Sequence, residues 1–460
     1  MITLLLVLQL QHLSATQPQQ APAPQLQQAA VSPRVVDGHG GPTVTVPRIE
    51  ATVQVDGRLD EEVWSKAVRL GGFSQYRPSD SRPAEEQTEV LVWYSPTALH
   101  FGIIARDREP GSVRATVADR DNLANDDAVT IYLDTFNDRR RAFFFTVNPL
   151  GVQQDGVQTE GGFNAGSMGG GRGGWGGAGG WSGGTMSGGS VDRSPDYLFD
   201  SKGQLTSDGY TVEVRIPFKS LRYSSSRTQR WGLNILRKVQ RTGYEDTWTD
   251  AKRVSSFLAQ AGVIEGLHDL KRGVVTELQP VVTATSPGAR DAQTGNFLRE
   301  DTKLRPGFNA RFAFTNLSLD ATVKPDFSQV ESDAGLVTIN ERFALFYPER
   351  RPFFLEGIEL FASPNQLVYT RQIGQPIGGG KLSGKIGRTT IAYLMAEDDI
   401  SGLATTPGSP RRALFNIARV RRDLGSDSTA GVTYTDRTTA AGYNRVLAAD
   451  SRVVFKKLYY

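Results

Sequence analysis

The side chains that could carry chemistry are few. The 460 residues contain no cysteine, which removes disulfides, thiolate zinc sites, iron–sulfur clusters and a cysteine nucleophile. The four histidines are His12, His39, His100 and His268, and no two have the spacing of a zinc-binding helix, so a histidine-rich metal centre is not expected. Carboxylates are more suggestive: Asp126, Asp127 and Asp134 fall in one short segment, and glycoside hydrolysis needs two carboxylates about 5–9.5 Å apart. Neighbours on a strand point to opposite faces, however, so Asp126 and Asp127 cannot form that pair. Asp119-x-Asp121-x-Leu123 lacks the glycine and the closing glutamate of an EF-hand. An irregular calcium site is the one metal reading left open, and no other cofactor is expected. Gly378-Gly379-Gly380-Lys381 fails as a phosphate loop, because Gln375 and Leu382 stand where glycine and Ser/Thr are required.

The elements that must position these groups read as strands. Residues 1–16 open on a short apolar run, MITLLLVLQL, the pattern of a secretory signal peptide and too short to span a bilayer as a helix. Residues 17–47, rich in Gln, Pro and Ala, read as a disordered linker. From Arg48 to Gly266 the pattern is mostly short strands with turn signals. Leu59–Ala67 is the exception, a helical turn or two with Trp64 as a buried anchor. Sixteen of the 49 glycines crowd into residues 161–190, a flexible excursion between two strands. The formal net charge of +3, from 52 basic and 49 acidic residues, predicts no nucleic-acid partner.

Several pieces of the first region recur in a known order. They are Asp56-Gly57-x-Leu59-Asp60-x-x-x-Trp64, Asp126-Asp127-Ala-Val-Thr-Ile-Tyr-Leu-Asp134, the run Phe144–Asp155, Tyr210-Thr-Val-Glu213-Val-Arg-Ile216-Pro217 and Trp231-Gly-Leu-Asn234. In this order they resemble the family 9 carbohydrate-binding module. The resemblance implies a jelly-roll-like β-sandwich over 48–266 and a glycan or polysaccharide as partner. Sugar rings stack on aromatic faces and are held by planar polar groups. On that basis Trp93, Trp231, Trp248, Arg237 and Asp126 are the expected ligand-binding residues, with Tyr94 and Asp127 nearby. Trp175 and Trp181, in the glycine insert, are placed to close over a ligand.

The second region, 272–460, alternates. Leu317, Leu319, Ala321 and Val323 interleave with Ser318, Asp320, Thr322 and Lys324, and similar stretches of about ten residues recur to the end of the chain. One apolar and one charged face per strand suits an antiparallel outer-membrane-type β-barrel, although a soluble antiparallel sheet alternates in the same way. Lys324–Asp333 and Ile339–Gly357 form the most specific motif, resembling a bacterial barrel-like domain of unknown function that commonly follows a family 9-type sandwich. Its aromatics, Phe343, Phe346, Tyr347, Phe353 and Phe354, read as a buried plug or seam ringed by Glu341, Arg342, Glu349, Arg350, Arg351 and Glu356. About nine strands are expected, an odd number for a bacterial barrel, and the last residues stop on a strand. Both points read as an incomplete barrel and a fragment of a longer protein.

The chain is thus expected to be all-β, a jelly-roll-like sandwich followed by a barrel-like domain. The resemblance implies an envelope protein of the bacterial outer membrane, in contact with its lipid. Its sandwich would stand in the periplasm or at the cell surface and bind glycan during carbohydrate uptake or catabolism. Two alternatives stand beside this. One is a membrane-associated hydrolase of O-glycosyl bonds, although no nucleophile, base and acid assemble in the sequence. The other is a structural or transport barrel with the sandwich as scaffold.

Overall fold

The computed structural model describes residues 35–460 except 161–188, 194, 254–255, 287, 292, 300, 326–348, 350, 366, 402–409, 426–427, 456–457 and 460. The expected leader, most of the linker, Trp175 and Trp181 lie outside the described residues. So do Glu341, Arg342, Phe343, Phe346, Tyr347 and Arg350 of the long motif.

Two sheets pack face to face in the first region. The first has the strand order Val35–Asp37, Val68–Gly71, Thr88–Tyr94, Ala98–Arg106, Gly209–Pro217, Asp200–Thr206. The second runs Gly189–Asp192, Gln153–Glu160, Arg141–Val147, Ala128–Asp134, Thr228–Val239. It then divides into Tyr244–Thr247 with Ser74–Arg77, and Gly262–His268 with Thr43–Thr45. Period-two alternation turns Val90, Val92, Leu99, Phe101 and Ile103 of one sheet toward Val129, Ile131, Phe145, Leu233 and Ile235 of the other. Two corrections to the expected linker follow. Val35–Asp37 and Thr43–Thr45 are edge strands, paired in parallel with Val68–Gly71 and Gly262–His268.

The outer face of the first sheet is covered by the chain that precedes it. Helix Glu62–Lys66 sets Trp64 over Gly102, where an added Cβ would meet the indole at 2.9 Å. Trp64 donates from Nε1 to Glu61 Oε2 at 3.0 Å. The Asp56-Gly57 turn is pinned by Glu213, whose Oε2 accepts from the N–H of Asp56 (3.0 Å) and of Gly57 (3.4 Å). Two of the recurring sequence pieces therefore meet in space.

The second region is a third sheet of eight antiparallel strands in sequence order. These are Val275–Thr285, Lys303–Ala313, Leu317–Val323, Pro376–Ile386, Thr389–Asp399, Arg412–Leu424, Ser428–Thr439 and Gly442–Arg452. Eight of the nine expected strands are present. The ninth, Leu367–Gln372, is not a strand but ends in a single 3₁₀ turn, Thr370–Gln372. The first and last strands do not pair with each other among the described residues, so the sheet described is open rather than closed into a barrel.

Its polarity is reversed. Ser318, Asp320 and Thr322 are at most 5 % exposed, whereas Leu319 and Val323, on the opposite face, are 43 % and 55 % exposed. The same face carries Leu278, Val282, Phe308, Tyr393, Met395, Val420, Val432, Tyr434 and Leu447, all exposed. Cross-strand pairs such as Phe308–Val323, Leu382–Tyr393, Val420–Val432 and Tyr434–Leu447 join them into one belt. The buried face holds Lys381, Ser383, Lys385, Arg419, Asp423 and Thr433. Across part of it lies segment 351–373, whose Phe354, Leu360 and Phe361 rest on Ala392, Leu394, Phe415 and Ile417.

Sandwich and sheet meet through buried charge. Arg140 and Asp138, on the hairpin between Ala128–Asp134 and Arg141–Val147, pair with Asp423 and Lys385 of the sheet. Lys385 also reaches Asp423 at 2.7 Å. Arg141 pairs with Glu359 at 2.9 Å and Arg222 with Glu356 at 2.6 Å.

Candidate functional site

The expected ligand-binding residues are buried in this fold. Trp93 is fully buried, stacked on His100 with ring centroids 3.8 Å apart and planes 4° from parallel, and it meets Trp64 edge-on at 6.0 Å. Trp231 lies between the sheets against Phe218 (5.9 Å) and Tyr223 (5.4 Å). Trp248 is equally enclosed, donating to Val36 O at 3.4 Å. None of the three offers a face to a sugar. The physical reason is size: an indole contributes more by filling the core than by standing in water.

Arg237 is also buried. It donates to Gln87 O (3.1 Å) and Thr88 Oγ1 (3.0 Å), with its guanidinium 5.5 Å from the Tyr210 ring. Asp126 accepts from Thr116 N–H (3.0 Å), Thr116 Oγ1 (2.9 Å) and Asn148 Nδ2 (2.8 Å). Asp127 is turned elsewhere, to the N–H groups of Arg114 (2.8 Å) and Gln240 (3.2 Å), as opposite faces require. Asp134 closes its hairpin by accepting from Arg139 N–H at 2.6 Å, and burial, then the nearby Asp138 charge, pushes its carboxyl up to about 8. Tyr94 is buried too and donates to Gly266 O at 2.8 Å. The structure does not gather the five expected residues at one surface. Among the described residues, no group of three or more His, Asp or Glu is placed to hold a metal.

The concave site of the sandwich lies elsewhere. On the outer face of the first sheet, strand register sets Trp93, His100, Arg215 and Asp200 in one cross-strand row. Residues 50–55 run along one side of this row and the Ser95–Thr97 turn closes its end. Phe199, Ser201 and Lys271 complete a cleft of about 850 Å³. Arg215 donates to Asp200 Oδ2 at 2.7 Å, and both side chains remain partly exposed. Ser201 is held by donation to Gly151 O at 2.7 Å and accepts from Gln153 Nε2 at 2.9 Å. His100 forms the floor. Burial, reinforced by the Arg215 charge, pulls its pKa down to about 3, so the imidazole is neutral at physiological pH.

A histidine beside a serine invites a hydrolytic reading, since His100 Nε2 lies 3.4 Å from Ser95 Oγ. That hydroxyl is occupied by its turn, accepting from Ala98 N–H at 3.1 Å. His100 Nδ1, where an orienting carboxylate would sit, has no hydrogen-bond partner. The nucleophile–base–orienter set is therefore not assembled. What the cleft offers is recognition: a guanidinium, a carboxylate, hydroxyls and a neutral imidazole on rigid strands, beside the apolar Phe199 and Pro96.

Sequence reasoning missed His100, Arg215 and Asp200. One signal was available. Alternation puts Leu99, Phe101 and Ile103 in the core, which leaves His100 as a polar side chain on the other face of a strongly apolar strand.

Residues 55–255 match the family model described as carbohydrate family 9 binding domain-like, and residues 278–387 match a domain of unknown function, DUF5916. Among solved structures, the chain is similar to a family 9 carbohydrate-binding module from Caldicellulosiruptor kristjanssonii in complex with cellotriose. Identity is 14 % and the TM-score 0.32, covering 48 % of this chain and 92 % of that one. It is also similar to a carbohydrate-binding protein, so described as a candidate, from Bacteroides uniformis ATCC 8492. There identity is 13 % and the TM-score 0.34, covering 49 % and 99 %. No curated protein matches the chain.

Proposed function

We propose that this protein binds glycan through the cleft on the first sheet while its eight-stranded sheet holds it in the bacterial outer membrane. The observation that carries the binding reading is the family match over 55–255, on a sandwich with a cleft lined by hydroxyl-recognising groups. Arg215 and Asp200 are charged anchors on its strands, beside Glu50 and Lys271, and neutral His100 adds a donor or an acceptor at the floor. Carbohydrate uptake or catabolism is the process such a protein would serve.

The membrane reading is supported by the reversed third sheet. Soluble proteins rarely expose a contiguous apolar area above a few hundred Å², whereas strands of 9–11 residues with apolar outer faces suit a bilayer. Strands Pro376–Ile386 and Thr389–Asp399 have eleven residues each. No helix among the described residues is long and apolar enough to cross a membrane.

Affinity electrophoresis tests the binding reading, in gels containing β-glucan, xylan, mannan or peptidoglycan fragments. The intact protein is expected to be retarded in at least one gel, and Arg215→Ala or Asp200→Ala to run freely with unchanged thermal unfolding. Free migration of the intact protein in every gel would refute it.

A further inference from the structure

The connections of the third sheet are strongly asymmetric. At the end that meets the sandwich they are short, comprising residues 314–316, 387–388 and 425–427. At the far end they are long, comprising residues 286–302, 324–375 and 400–411, with 440–441 the one short turn. Three hydrogen bonds reach the short-turn termini from the sandwich and from the chain that leaves it. Tyr223 N–H donates to Thr315 O at 2.9 Å, Arg272 donates to Ala313 O at 3.1 Å, and Arg140 donates to Ser428 O at 2.7 Å.

Outer-membrane sheets place short turns on the periplasmic side and long loops outside. From this we infer that the sandwich stands in the periplasm, with its cleft facing glycan already behind the outer membrane. The inference rests on the membrane reading above. It selects one of the two positions that sequence analysis left open, and with it the source of the ligand: wall glycan, or oligosaccharide that has crossed.

The longest connection adds a second observation. Of 324–375, segment 351–373 lies along the polar face of the sheet, with Glu356 at the sandwich side and Gly374 and Gln375 at the far end, where they donate to Asp398. Lys381 Nζ donates to Phe353 O and Glu356 O, each at 2.6 Å, while Glu356 and Glu359 pair with Arg222 and Arg141. A long-end connection that covers part of the polar face fits an outer-face origin for that connection. The sandwich, docked at the opposite end, is then on the inner side.

The chain lacks cysteine, so single substitutions report position directly. Gln293→Cys lies on a long connection, Arg388→Cys on a short turn and Ser207→Cys on an exposed turn of the sandwich. A bulky polyethylene-glycol maleimide is added to intact cells and to cells with a permeabilised outer membrane, and labelling is read as a gel shift. The expected result is a shift of Gln293→Cys in intact cells, with Arg388→Cys and Ser207→Cys shifting only after permeabilisation. The reverse pattern would overturn the orientation while leaving the membrane reading intact. Release of the protein from membranes by alkaline wash without detergent would overturn both.

Discussion

His100 and Glu213 are buried titratable groups on adjacent strands of one sheet, and their charges oppose each other in pH. For His100 the folded pKa of about 3 lies below the ordinary 6.5. Between these values the unfolded chain takes a proton that the folded one refuses, so stability falls as pH drops below about 6.5, by about 2 kcal/mol at pH 5. Glu213 is the opposite case. Burial, against the N–H groups of Asp56 and Gly57, raises it to about 7 from 4.5, so the folded state keeps a proton the unfolded state has lost. Stability therefore falls as pH rises from about 4.5 through 7, by about 3 kcal/mol. Urea unfolding across this range should show His100→Gln flattening the acid limb and Glu213→Gln the alkaline limb. Unchanged slopes in both variants would contradict the assignment. Replacing the expected aromatic platforms has a different signature: Trp93→Ala should cost about 3–5 kcal/mol of stability, measured by denaturant midpoint, because it empties a filled core position. The tryptophans misled for a physical reason, since a platform and a core residue have the same composition and only the surrounding chain distinguishes them.

Among the elements, alternating strands were legible and edges were not. Leu317–Lys324 reads as a strand because its two faces differ in chemistry, and it is one. Val35–Asp37 and Thr43–Thr45 are three residues each, too short for alternation to stand out in the sequence, although Val44 enters the core and Val36 packs against it. Leu367–Gln372 alternates as well, yet Arg351 draws Thr370 O (2.8 Å) and Ile373 O (2.5 Å) into a turn over the sheet. Gly57 shows what a small signature encodes. Its φ is +89°, and a Cβ there would meet the Gly203 backbone at 3.0 Å. Gly57→Ala should lower stability by about 1–3 kcal/mol in denaturant unfolding. The charged hairpin between sandwich and sheet is a second test. Arg140→Ala takes one cationic partner from the buried Asp423 and leaves it Lys385, at a cost of about 1–3 kcal/mol. Faster proteolysis between His268 and Val275 is the expected readout.

For the whole molecule, the decisive feature is which side of the third sheet faces in. Alternation could be read from the sequence, but not its direction, because a soluble sheet and a lipid-facing one share the same period. Packing decides it: the charged face is covered by segment 351–373 and by the sandwich, and the apolar face is bare among the described residues. The proposal that this bare face meets hydrocarbon is tested most directly by scanning Thr390 to Ala396 with single cysteines carrying spin labels, in protein reconstituted into lipid vesicles. The account predicts that accessibility to oxygen peaks at 391, 393 and 395 and that accessibility to a water-soluble nickel chelate is lowest there. Nickel-chelate maxima at those three positions would contradict it.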